Sequence, residues 1–168
     1  GHSILAGKND VYTTVEPVLF KEVSIMSNVN SEFNVISITG DIIGELQFYG
    51  KGAGKDATAN AVVGDALYIL NMVNEQNLPK PLRLNRNLNK RGTGIFTGKY
   101  YLRAKLDSKE MLDDVLTAVE TIAERKTVIV NDDRVYVVTS VIAADVFNAM
   151  AEKLKETVPE IFYARIYE

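Results

Sequence analysis

With 168 residues, 46% of them hydrophobic and 24% charged, and a formal net charge of −3, the chain has the composition of an ordinary globular protein of one domain or two small ones. It has no cysteine and a single histidine, His2, which rules out disulfides, thiol nucleophiles and zinc–thiolate sites and tells against histidine catalysis or a metal centre. No apolar run approaches the length of a membrane helix and none at the start reads as a secretion signal, so a cytoplasmic protein without a membrane partner is expected.

Ile4 to Ala6 and Val11 to Leu19 read as strands around the turn Gly7-Lys8-Asn9-Asp10, and Phe33 to Thr39 with Ile42 to Tyr49 as a second hairpin around Gly40-Asp41. A helix follows, predicted over Thr58 to Asn74 with Asp56 as its N-cap. Val62, Ala66, Ile69 and Val73 recur on it at helical spacing, and Val63, Leu67 and Leu70 widen that stripe until the helix should be mostly buried. These elements predict a largely antiparallel sheet with a covering helix. Glu16, Glu22, Glu32 and Asp41 are candidates for general-acid work, but their spacing pairs none of them, and solvated strand edges are the expectation.

Between strand and helix stand Gly50, Gly52 and Gly54. Glycines here give the backbone conformations closed to other residues, and a strand-to-helix turn of this kind is where main-chain amides can meet an anion. The spacing G-x-G-x-G is neither the dinucleotide fingerprint nor a phosphate-binding loop. From the residues alone, an anion-binding turn and a tight connection without a ligand weigh equally. No nucleophile elbow or orienting histidine is present, so no catalytic residue and no metal ligand is assigned.

From Gln76 to Leu106 there is no acidic residue, whereas Lys80, Arg83, Arg86, Lys90, Arg91, Lys99, Arg103 and Lys105 are basic. Pro79, Pro81 and the glycines at 92, 94 and 98 make residues 76–98 read as a linker; sparse aromatics and a negative total charge argue against a nucleic-acid partner. Beyond it, the periodicity switches four times: strand Lys99 to Leu106, helix Lys109 to Glu124, strands Thr127 to Val130 and Val135 to Val141, helix Ala144 to Thr157 and strand Ile161 to Tyr167. The order is βαββαβ, and right-handed crossovers put both helices on one face of a ferredoxin-like sheet. The fold class is therefore α+β.

The longer strings are more specific. TVEPVLF (Thr14 to Phe20) and NVNSEFNVISITGDIIGELQFYGKGAGKDATANAVVGD (Asn28 to Asp65) closely resemble the end of the catalytic domain of homoserine dehydrogenases, including the Phe33-Asn34 strand start and the GELxFYGxGAGxxxTAxAVVxD run. Ala57 stands where members commonly have proline. The resemblance implies a C-terminal fragment, with Gly1-His2 as a tag remnant. Residues 1–75 would be the end of the catalytic domain, 76–98 the linker and 99–168 a regulatory domain similar to the ACT domains of bacterial homoserine dehydrogenases. It also implies an oxidoreductase parent that interconverts L-homoserine and L-aspartate 4-semialdehyde with NADP or NAD, on the route to threonine and methionine. Gly54 would bring backbone against that cofactor, with Gly50, Gly52 and Ala53 shaping the turn. The substrate residues and the dinucleotide-binding domain would lie outside this chain, leaving the fragment inactive and without bound cofactor. ACT domains that sense amino acids commonly carry Asp-x-Pro-Gly after their first strand. Here Asp107-Ser108-Lys109-Glu110 keeps only the aspartate. Asp107 and Ser108 are the candidate effector contacts, and threonine feedback and a homodimerising domain that senses nothing both stay open.

Overall fold

The computed structural model describes residues 1–75, 87–124 and 126–167. In chain order the first elements are β1 (His2–Ala6), β2 (Asp10–Thr14), β3 (Val18–Phe20), β4 (Phe33–Gly40), β5 (Gly44–Lys51), α1 (Lys55–Asn74) and β6 (Asn89–Lys90). They are followed by β7 (Thr97–Lys105), α2 (Lys109–Glu120), β8 (Lys126–Asn131), β9 (Arg134–Thr139), β10 (Ile142–Ala143), α3 (Ala144–Leu154) and β11 (Ile161–Tyr167). Two compact units result: Gly1–Phe20 with Asn85–Glu168, and Lys21–Leu84. They cut across the division at residues 75 and 98 expected from the sequence.

In the larger unit the strand order is β3-β11-β7-β9-β8, with β10 on the start of β7. β7 buries alternate residues, Tyr100, Leu102 and Ala104, and β9 buries Val135, Val137 and Thr139; this period of two fits a sheet with one covered face. The cover is α2, through Val115 and Val119, and α3, through Phe147, Met150, Ala151 and Leu154, all in one core cluster with the sheet. Phe147 lies at its centre. Its ring stacks on Tyr100 at 4.0 Å and meets Tyr163 edge-on at 5.3 Å.

Residues 1–20 depart from expectation. Val11 to Leu19 is not one strand: β2 stops at Thr14, and β3 resumes after Pro17 to pair in parallel with β11. Pro17 has no N–H for a ladder and so breaks the run, but its carbonyl accepts the Arg165 amide at 3.0 Å. β1 and β2 form a separate sheet with β6. Of the expected linker, residues 76–86 lie outside the described residues. The remainder is folded: β6 pairs with β2, and Thr93–Ile95 is a 3-10 turn whose Gly94 faces Asp145 so closely that a Cβ would come within 2.7 Å of Oδ2.

In the smaller unit β4 and β5 make an antiparallel hairpin of their own, and α1 buries none of its residues. The expected single sheet with a covering helix is therefore corrected: α1 carries apolar residues all round, a pattern that reports what the helix can bury, not what is present to bury it. Asp56 is not the N-cap. The helix starts at Lys55 with Gly54 as cap, and Asp56 sits in the first turn.

Candidate functional site

The glycine turn is built by the hairpin. In its register Asn34 opposes Gly50, and past β5 the Gly52 amide donates to the Glu32 carbonyl at 2.9 Å while Lys51 pairs with the Glu32 carboxylate at 3.1 Å. Phe33 and Tyr49 stack with centroids 5.0 Å apart. A Cβ at 52 would overlap the Asn34 side chain, so any larger residue there has to displace that amide. At 54 the backbone has φ 111° and ψ 148°, open to glycine alone.

Gly54 caps α1 through its main chain: its carbonyl accepts the Thr58 amide at 3.0 Å, and no side chain caps the helix. The first amides of α1 are thus left to an outside acceptor, at the positive end of a twenty-residue helix. Gly50, Gly52, Ala53 and Gly54 are all exposed, so backbone can be approached closely. Sequence reading missed the part played by Asn34; the signal available was its register opposite Gly50. Gly52→Ala is expected to push the Asn34 amide out and shift the turn's amide resonances, whereas adding Asn34→Ala restores them. An unchanged amide spectrum in the single variant would show that the contact does not shape the turn.

At the second candidate site, Ser108 caps α2 by accepting the Met111 amide at 3.4 Å. Asp107 is exposed, 3.5 Å from Lys105, which lies equally close to Glu160; these two carboxylates raise the Lys105 pKa. The Ser108 hydroxyl is therefore already engaged in holding the helix start.

Glu16 is not a solvated edge residue. Its side chain is 8% exposed and lies 3.0 Å from Arg165 Nε, itself 9% exposed, and it accepts from the Tyr100 hydroxyl at 3.3 Å. The Nε–H is not aimed well enough at the carboxylate to count as a hydrogen bond, so charge holds the pair. Burial, then the neighbouring Glu16 charge, pushes the Tyr100 pKa well up. Among the described residues no group of three or more acidic or histidine side chains could hold a metal.

The family comparison bears on the glycine turn. Residues 3–67, which contain the turn and the first part of α1, match the family model "Homoserine dehydrogenase". This stretch is similar to the homoserine dehydrogenases. It is 39% identical over 59 residues to the homoserine dehydrogenase of a Synechocystis strain, covering 35% of this chain and 14% of that protein. To the homoserine dehydrogenase of Helicobacter pylori it is 42% identical over 55 residues, covering 33% and 13%. The alignments thus span about one seventh of the relatives' length. A homoserine dehydrogenase structure from Thiobacillus denitrificans resembles 96% of this chain at TM-score 0.63 and 23% identity, using 40% of its own length. At that identity the likeness is one of fold, and it extends past residue 67 into the larger unit.

Proposed function

We propose that this chain is the C-terminal portion of a homoserine dehydrogenase, an NAD(P)-dependent oxidoreductase that interconverts L-homoserine and L-aspartate 4-semialdehyde in the cytoplasm, on the way to threonine and methionine. The observation that carries the reading is the matched stretch 3–67 ending in a helix headed by Gly54 at positive φ. In it, Gly54 offers backbone to the cofactor, Gly52 makes room for Asn34, and Gly50 and Ala53 set the turn. The residues fit such a group: exposed glycines, helix-start amides without a side-chain cap, and open space where a Gly54 Cβ would stand. Bound there, the cofactor would supply the hydride-accepting chemistry. The groups that bind and protonate the substrate would come from a portion outside this chain, as would the dinucleotide-binding domain.

The larger unit, with β7-α2-β8-β9-α3-β11 in the order β11-β7-β9-β8, supports a ferredoxin-like, ACT-type regulatory domain. Among the described residues its β8 edge pairs with β9 alone and leaves Ile129 and Val130 exposed, which supports side-by-side pairing in a homodimer. The second reading, a module that assembles or senses amino acids without catalysing, rests on that edge and on the absence of an acid–base constellation among the described residues.

Homoserine-dependent reduction of NADP or NAD separates these. The chain alone is expected to give none, and fusion to the upstream portion of the Synechocystis relative is expected to restore turnover. Turnover by the chain alone would overturn its inactivity, and a folded but silent fusion would favour the assembly module.

A further inference from the structure

β3 is three residues long, yet one edge of the sheet in the larger unit is closed by it. It pairs in parallel with Arg165, Ile166 and Tyr167, the last residues of the seven-residue β11, and a parallel ladder that short holds weakly by itself. Side chains fasten both of its ends. At the root Arg165 and Glu16 lie together with side chains 9% and 8% exposed; at the tip the Phe20 and Tyr167 rings stand 5.3 Å apart. Arg165 has a fitted seat. A Cβ at Gly98 would come within 3.0 Å of its Cδ, and its guanidinium stands 6.0 Å from the centre of the Phe96 ring. Gly98, read from the sequence as a linker glycine, thus makes room for the arginine stem. The opposite edge is β8, six residues long with Ile129 and Val130 exposed. A sheet with two open edges of similar length can add copies head to tail without limit, β8 of one on β11 of the next, whereas a single open edge can only close a pair.

We propose that residues 15–20 are a strap that covers the β11 edge and so confines pairing between copies of this chain to β8, with Glu16 and Arg165 as its buckle; the inference takes β8-edge pairing from the homodimer reading above. With the strap closed, β11 offers an incoming strand only residues 161–164, fewer positions than β8 has. With it open, β11 offers its whole length to the β8 of a second copy. Charge sets which state holds. Glu16 answers the Arg165 cation where water does not reach it, so removing the Glu16 charge favours lifting residues 15–20, which hydrates the guanidinium and leaves the core around Phe147 in place. The Tyr100 hydroxyl, which donates to Glu16, adds a second hold on the same carboxylate.

Two measurements on the whole chain test this. In wild-type hydrogen exchange, the Arg165 amide, which donates to the Pro17 carbonyl, is expected to exchange at least about tenfold faster than the Tyr100 amide, held by the Thr139 hydroxyl, because the strap opens apart from the core. Equal protection of the two amides overturns the strap and needs no variant. In sedimentation velocity, Glu16→Gln with the far-UV circular dichroism of wild type is expected to grow with concentration to at least about fourfold the wild-type mass. Adding Ile129→Lys, which puts a charge on the β8 edge, is expected to abolish that growth, since head-to-tail addition needs both edges. Growth that survives Ile129→Lys is aggregation of another kind, and a folded Glu16→Gln that does not grow has a strap that charge does not hold; either result sinks the proposal. A monomeric wild type beside a Glu16→Gln that grows and is blocked by Ile129→Lys would remove the homodimer reading and keep the strap.

Discussion

Glu16→Ala is expected to destabilise the larger unit by about 3–5 kcal/mol, because it leaves the Arg165 charge buried without its partner. Arg165 is 9% exposed and sits on β11, where its main-chain amide donates to the Pro17 carbonyl. The Tyr100 hydroxyl loses its acceptor in the same step. The cost therefore reflects an orphaned cation, not the worth of the pair, and removing all the polar partners together should recover most of it. Glu16→Leu, Arg165→Met and Tyr100→Phe combined are expected to unfold within about 1–2 kcal/mol of wild type. Urea unfolding decides: a midpoint in Glu16→Ala equal to wild type, at unchanged m, would return Glu16 to the solvated edge that its spacing suggested.

The second large effect contrasts two apolar side chains. Phe147→Ala is expected to cost about 3–5 kcal/mol, through lost transfer energy and a cavity between Tyr100 and Tyr163. Leu67→Ala, on a helix that buries nothing and with Leu67 56% exposed, should change the stability of this chain by under about 0.5 kcal/mol. In the proposed longer enzyme, where α1 would be covered on several sides, the same substitution is expected to cost about 2–5 kcal/mol. Thermal unfolding of both forms measures the difference, and a large effect of Leu67→Ala on the chain alone would mean that α1 is packed already.

Much of this was legible in residue order. The alternation Tyr100, Leu102, Ala104 and the helical spacing of Val115 and Val119 announced a covered sheet face, because side-chain direction in strands and helices follows from backbone geometry alone. The glycine turn was legible as a turn for the same kind of reason, since φ 111° at Gly54 needs a residue without Cβ. What escaped was pairing at a distance. Nothing local says that β3 joins β11 in parallel, or that Glu16 meets Arg165.

The sequence by itself determined most of the elements, the βαββαβ order and the resemblance of Thr14 to Phe20 and Asn28 to Asp65 to homoserine dehydrogenases, all of which depend on local periodicity and ordered strings. The tertiary structure alone decided that residues 1–20 fold with the C-terminal strands, that Glu16 is buried against Arg165, and that β3 covers part of the β11 edge. Those outcomes depend on contacts between residues far apart in the chain, where closure entropy and desolvation are set by what else has already folded, and no local pattern carries that information.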